Sequence, residues 1–349
     1  MSLPVLVYNL LMTVADAAAL SWLSRRKTAG TLLRLGMLES LAALALAGAL
    51  GNGFFGTAGL LAYALFVHAV IFLVGAAAVL RRECPGTALS AILLALVLAL
   101  VAADAFWVEP ARLEVSHLQV STARLSRPVR IAVVADLQTD AFGAYEQEVL
   151  RRVVEEKPDL ILLAGDYVQA ESPRHEEIQR ELGDYLRRIG FAAPLGVFAV
   201  QGNCDVGAWQ QAFAGIPVTA VDQTRSFRVG ELELTCLSYH DSFDGNLALG
   251  ASDPSRYHVV LGHSPNYALG RIDADLLIAG HTHGGQVRLP WLGPLVTLSR
   301  VPRSWAAGLT ELPGGAKLLV SRGIGLERGP APRLRFLCRP ELVFIDLEP

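Results

Sequence analysis

Asp136, Asp166, Asn203, His263, His281 and His283 share one placement in the sequence: each follows a short run of aliphatic residues. The run from Val129 to Ala135 ends at Asp136, and that from Asp159 to Ala164 ends at Gly165-Asp166. Gly196 to Gln201 leads to Gly202-Asn203, His258 to Leu261 to Gly262-His263, and Asp275 to Ala279 to Gly280-His281-Thr282-His283. These side chains offer carboxylate oxygen, amide oxygen and imidazole nitrogen, with no thiolate set suited to structural zinc. Mixed oxygen and nitrogen donors favour Mn²⁺, Fe or catalytic Zn²⁺. His281 and His283 lie two positions apart. In an extended loop they hold two neighbouring ions more readily than one. Two divalent ions about 3.5–4 Å apart can activate a bridging hydroxide and clamp a phosphoryl group during in-line displacement.

Short, continuous β-branched and aliphatic runs are the pattern of strands buried on both faces. Between them, 144–157 and 175–190 have helical spacing; Val149, Leu150, Val153 and Val154 form an apolar stripe largely opposite Arg151, Arg152, Glu155 and Glu156. Strands alternating with helices predict an α/β sheet, and such sheets bind ligands at the carboxyl ends of their strands. A glycine usually precedes the donor residue, which lets backbone approach closely. The remainder reads differently. Ser226–Leu237 alternates around Gly230 as a hairpin, and Ala316–Val320 and Arg333–Leu347 are strand-like without intervening helices. A second, more antiparallel layer packed on the first is expected.

The first 108 residues are of another kind. They hold only ten of the 63 charged residues, six basic and four acidic. Four apolar stretches, 3–23, 31–50, 57–80 and 87–108, each approach the roughly 20 residues that span a bilayer as helix. The basic cluster at 25–27 follows the first stretch instead of preceding it, which argues against a signal peptide. All six basic residues lie at 25–34 or 81–82. Excess Lys and Arg marks the cytoplasmic side, so four spans place everything after residue 108 outside, with Trp107 as an interfacial anchor. Asp16 and His68 are the deepest ionisable groups and are read as bonding helix to helix, the alternative being a transport role. The chain thus divides into a transmembrane region at 1–108, a linker at 109–128 and a globular domain at 129–349. A net charge of −3 gives no basic footprint for nucleic acid, and four cysteines make no disulfide framework.

The ordered set Asp136, Gly165-Asp166, Gly202-Asn203, Gly262-His263 and Gly280-His281-Thr282-His283-Gly284-Gly285-Gln286 resembles the calcineurin-like metallophosphoesterase family. With Ser321-Arg322-Gly323-Ile324-Gly325 and Arg335-Phe336, it is similar to that family's membrane-attached bacterial branch over roughly residues 128–347. The resemblance implies a sandwich of two β-sheets flanked by helices, here preceded by an α-helical transmembrane region. It also implies Asp136 and His283 on one metal ion, Asn203, His263 and His281 on a second, and Asp166 bridging both.

Two departures stand out. The family's Asp-x-His is Asp136-Leu137-Gln138, so a neutral amide replaces an imidazole at the first site, with Asp140 as a possible aid. Its Gly-Asn-His-Asp is Gly202-Asn203-Cys204-Asp205, which removes the imidazole that the family uses on phosphate and leaving group. Losing a general acid typically costs about 10²–10⁴-fold in rate. Cys204, Asp205, Asn203 and Asp166 form the expected catalytic set, and His240 and Arg322 are candidate substrate contacts; a rim position for His240 and salt bridging for Arg322 are the plainer readings. The implied activity is hydrolysis of phosphomonoester, phosphodiester or pyrophosphate bonds in a small-molecule or lipid substrate at a bacterial plasma membrane. The alternative is a catalytically impaired phosphate sensor or membrane scaffold.

Overall fold

The computed structural model describes residues 2–251 and 253–349. The chain forms two compact units, Met1–Trp107 with Gly329–Arg333, and Val108–Arg328 with Leu334–Pro349.

The first unit is helical: α1 (Leu3–Arg26), α2 (Ala29–Leu50), α3 (Gly53–Tyr63), α4 (Ala69–Leu80) and α5 (Pro85–Ala103). A π-helical turn, Ala64–His68, joins α3 to α4 without a break. Four continuous helices result, Leu3–Arg26, Ala29–Leu50, Gly53–Leu80 and Pro85–Ala111, each long and apolar enough to cross a membrane. At 1.5 Å per residue, even the shortest exceeds the roughly 30 Å of a bilayer core. Their boundaries follow local chemistry. Lys27 turns left-handed to close α1, Thr28 caps α2 by accepting the Thr31 N–H, and Pro85 begins α5. Leucines such as Leu10, Leu41 and Leu93 face outward. His68 bonds Asp16 through Nδ1 (2.7 Å) and Asn9 through Nε2 (3.0 Å), tying the π-helical turn to α1.

The second unit contains two six-stranded sheets. Its strands in chain order are β1 (Glu114–Ser121), β2 (Val129–Val134), β3 (Leu160–Leu163), β4 (Val197–Val200), β5 (Val218–Val221), β6 (Arg225–Val229), β7 (Leu232–Cys236), β8 (Ala248–Leu249), β9 (Tyr257–Leu261), β10 (Arg271–Ile272), β11 (Leu276–Ala279), β12 (Arg288–Leu289), β13 (Gly293–Pro294), β14 (Gly308–Glu311), β15 (Lys317–Val320) and β16 (Glu341–Glu348). One sheet has the order β1-β16-β2-β3-β4-β5, the other β14-β15-β11-β9-β7-β6. In the first, β2 to β5 are parallel and β16 runs antiparallel to β2.

The second sheet is the more antiparallel of the two, as expected: its edge strands β14 and β6 pair antiparallel, against the single β16–β2 pair of the first sheet, while β15, β11, β9 and β7 run parallel at its centre. One expectation needs correction. The segment 109–128, expected as linker, instead contributes β1, which pairs in parallel with β16 from Glu114 to Ser121. A strand with half-polar alternation such as this edge strand leaves a weak periodic signal, and its partner lies more than 200 positions away.

The sheets pack face to face. Ile131, Val133, Leu162 and Ile345 from one interleave with Leu234, Val259, Leu276 and Ile278 from the other in a continuous buried cluster. The outer face of the first sheet is covered by α6 (Ala144–Glu155) and α7 (Arg174–Arg188), whose Val149, Val153, Ile178 and Leu182 are fully buried. Glu146 starts α6 by accepting the Gly143 N–H. All four cysteines are free thiols.

Candidate metal centre

Strands β2, β3 and β4 of one sheet and β9 and β11 of the other run in parallel, and beyond their carboxyl ends stand Asp136, Asp166, Asn203, His263, His281 and His283. The backbone there is strained. Asp136, Gln138, Asp166, His281 and His283 have φ of 51°, 40°, 57°, 71° and 48°. Left-handed backbone at a residue with a side chain costs of order 1–3 kcal/mol and persists where surrounding structure imposes it, commonly at functional sites. Glycine makes room for these turns. A Cβ at Gly280 would sit 2.8 Å from Asp136 Oδ2, and one at Gly202 only 2.1 Å from Asp166 Oδ1.

Asp136, Asp166 and His263 are buried and bring one donor atom each within 4.8 Å of one another. His263 donates Nδ1–H to the Ala164 carbonyl at 2.8 Å, which fixes its tautomer and leaves the Nε2 lone pair facing the centre. That nitrogen lies 3.1 Å from Asn203 Oδ1 and 3.4 Å from Asp166 Oδ2. The Asn203 amide nitrogen is turned to the Cys204 sulfur, so its oxygen is what meets His263. Three acceptors therefore converge. A protonated imidazole could satisfy them, but burial pushes the His263 pKa down to about 4. A cation fits the arrangement.

The neighbouring groups agree. Burial is the main force pushing His281 down to about 3, and its ring lies 5.1 Å from the His263 ring. His283 is held neutral by burial and then by the Arg335 charge, and its buried Nδ1 has no hydrogen-bond partner. Burial is the main force raising both carboxyls, Asp136 well above its ordinary value and Asp166 to about 7; the Asp166 charge adds to the rise at Asp136. Asp136 accepts the His281 N–H with both oxygens, and Asp166 Oδ1 accepts the Cys204 N–H at 2.7 Å. Neutral imidazoles beside crowded, buried carboxylates are the donor chemistry of a divalent-ion site.

Gln138 fits the same description for a reason the sequence did not show. Its Nε2 faces Gln169 Oε1 (2.8 Å), Glu327 Oε2 (3.2 Å) and the Cys204 sulfur (3.3 Å). The Glu327 carboxylate can only accept, which sets the amide orientation. Gln138 Oε1 is left buried with no partner. Cys204 itself is a neutral thiol: burial, then the charges of Asp166 and Glu327, push its pKa up.

Other candidates have plainer duties. Asp205 accepts the backbone N–H groups of Asp166, Tyr167 and Gly202 at 2.7–2.8 Å, so it clamps two donor loops together instead of facing the centre. Burial and the Asp166 charge push it up to about 7 against those three bonds. Arg322 is paired with Glu114 (3.1 Å) and Glu341 (3.0 Å) on β1 and β16. Asp140 lies 3.5 Å from the Arg328 guanidinium. His240 is exposed on the short helix α8 (Tyr239–Phe243), whose Phe243 packs edge-on against His281 at 4.9 Å. Sequence reasoning assigned nothing to Phe243, Gln169 or Glu327. Arg335 was seen only as part of a motif. It is fully buried and donates to the carbonyls of Arg322, Gly323, Gly325 and Cys338, fixing the loop whose Gly323 abuts Asp136.

Two packed sheets with a buried acid–imidazole cluster beyond their parallel strands define an α/β metallohydrolase. The chain belongs to the calcineurin-like phosphoesterase family, whose model matches residues 129–285. It is 30% identical over 214 residues to the uncharacterized metallophosphoesterase YkuE of Bacillus subtilis, covering 57% of this chain and 71% of that protein. It is 30% identical over 234 residues to the phosphodiesterase YaeI of Escherichia coli, covering 63% and 82%. It is 24% identical over 309 residues to the UDP-2,3-diacylglucosamine pyrophosphatase LpxG of Chlamydia trachomatis, covering 68% and 91%. The chain is thus a metallophosphoesterase, a phosphoester hydrolase.

Proposed function

We propose that this protein is a membrane-anchored phosphoesterase with two divalent ions, Mn, Fe or Zn, acting on a lipid-linked phosphate or pyrophosphate outside the cytoplasm. The observation that carries the reading is the convergence of His263 Nε2, Asn203 Oδ1 and Asp166 Oδ2 without a donor among them. Asp136, Gln138 and His283 would hold one ion, Asn203, His263 and His281 the other, and Asp166 both. Ions held there supply Lewis acidity toward phosphoryl oxygens and lower the pKa of water at the site. The protein's own groups orient and exclude: Asp205 and Arg335 fix the donor loops, and Phe243 shields His281 from water. Cys204 is a poor proton donor to a leaving group. Pyrophosphate and aryl phosphate linkages, whose leaving groups depart without protonation, are therefore the preferred substrates. The names of LpxG and YaeI support pyrophosphate or diester chemistry, and four apolar helices support a lipid-borne substrate. The basic residues at 25–34 and 81–82 support an extracytoplasmic domain.

The test uses purified full-length protein: bound metal, and Mn²⁺-stimulated hydrolysis of bis-p-nitrophenyl phosphate by the wild type and Asp166→Ala. Activity abolished by the substitution supports the enzyme. Tight metal binding without turnover in the wild type, restored by Cys204→His, supports the sensor reading that Cys204 and Gln138 favour. A protein that binds no metal overturns both. Domain degradation by external protease only after cell lysis would refute the proposed sidedness.

A further inference from the structure

We infer that the segment from Leu289 to Leu298 is a docking strap that lies in the bilayer interface and holds the metal centre against lipid headgroups. β12 and β13 form a small hairpin whose tip is Pro290-Trp291-Leu292. Trp291 is fully exposed on left-handed backbone, and Leu292, Leu295 and Leu298 are also exposed. Single exposed apolar residues are ordinary, but a contiguous run with an aromatic at its tip marks a partner surface. The partner is a bilayer. The last apolar helix ends at Ala111, and Glu109 in its final turn accepts the Cys338 N–H at 2.8 Å. Two residues before Cys338, the Phe336 carbonyl accepts the Arg288 N–H at 2.9 Å, at the root of the hairpin. Within this unit, the root of the strap is therefore tied through residues 336–338 to Glu109, where the chain enters from the apolar region. Arg300 and Arg303, exposed just beyond the strap, suit anionic headgroups, and tryptophan suits the headgroup level.

The strap is also joined to the chemistry. Pro294 lies against Gly285, two residues after His283. An interfacial strap therefore presents lipid-borne phosphates to the centre. That consequence rests on the proposed hydrolytic reading; the docking itself does not.

Full-length protein in vesicles of phosphatidylcholine and phosphatidylglycerol brominated near the top of the acyl chain tests both. The difference in tryptophan emission between the wild type and Trp291→Phe isolates Trp291 from the other tryptophans. Docking requires that this difference signal be quenched by the brominated lipid. An unquenched signal overturns the proposal, as does a signal shielded by self-association, with Trp291→Glu dissociating the oligomer in sedimentation. Trp291→Glu should lower hydrolysis of a lipid-borne pyrophosphate at least about tenfold through lost effective concentration, and leave bis-p-nitrophenyl phosphate turnover unchanged. Equal losses on both substrates overturn the presentation role. Quenching without any hydrolysis by the wild type leaves the docking standing and refutes the hydrolytic reading.

Discussion

Gly202→Ala isolates the geometry of the centre in one methyl group. Gly202 has no left-handed backbone, so alanine meets no conformational strain there. Its Cβ would lie 2.1 Å from Asp166 Oδ1 and 2.4 Å from the Asp166 nitrogen, whereas real Cβ contacts essentially never fall below 3.0 Å. The Asp166 carboxylate must therefore move by about 1 Å, the scale of misplacement that can cost about 10²-fold in rate. The same shift pulls Oδ1 from the Cys204 N–H and Oδ2 from His263. Overpacking should also cost about 1–3 kcal/mol of stability. Gly207→Ala is the control, because its φ of +62° brings strain but nothing lies within 4 Å of the new Cβ. Manganese titration monitored by electron paramagnetic resonance should show affinity falling about 10–100-fold for Gly202→Ala in a protein that still melts cooperatively. Gly207→Ala should lose only stability. If Gly202→Ala binds manganese within about threefold of the wild type, Asp166 is not a ligand and the argument fails.

Three further outcomes are expected. Glu327→Leu should weaken manganese binding about 10–100-fold in the wild-type background and far less beside Gln138→His; equal effects in both would show that Glu327 does not act through the Gln138 amide. Cys204→His should raise turnover of an alkyl phosphodiester by up to about 10²–10⁴-fold while changing p-nitrophenyl ester turnover much less, since only the former needs a proton donor; a uniform change in both refutes that reasoning. Burial alone would lift the Glu341 carboxyl, but hydrogen bonding and charge from Arg322 hold it below its ordinary 4.5. Its pair with Arg322 therefore stabilises the fold fully above about pH 4.5 and is lost as pH falls through the lower folded-state value. Glu341→Gln should cost about 3 kcal/mol at neutral pH, and the gap in melting temperature from the wild type should close on acidification; a gap constant down to about pH 3 refutes the pair's role.

Residue types and local spacing announced the apolar helices, the buried strands and the donor residues that follow them. Burial on both faces demands continuous aliphatic runs, and close backbone approach demands the glycines at 165, 202, 262 and 280. These are local constraints, so they leave local marks. The assignment of strands to sheets did not show. β9 and β11 have the same buried pattern as β2 and β3, and only tertiary packing puts them in a second, centrally parallel sheet. β1 was hidden because an edge strand needs little apolar periodicity once β16 supplies its hydrogen bonds. Folding also decided which polar residues face the centre. Arg322 and Asp205 spend their hydrogen bonds on Glu341 and on backbone N–H groups. Glu327 reaches Gln138 from 189 positions away, engages its amide nitrogen and leaves its amide oxygen buried without a partner. A side chain's chemistry is written in its type; the direction of its lone pair is set by distant groups that close on it only when the chain folds.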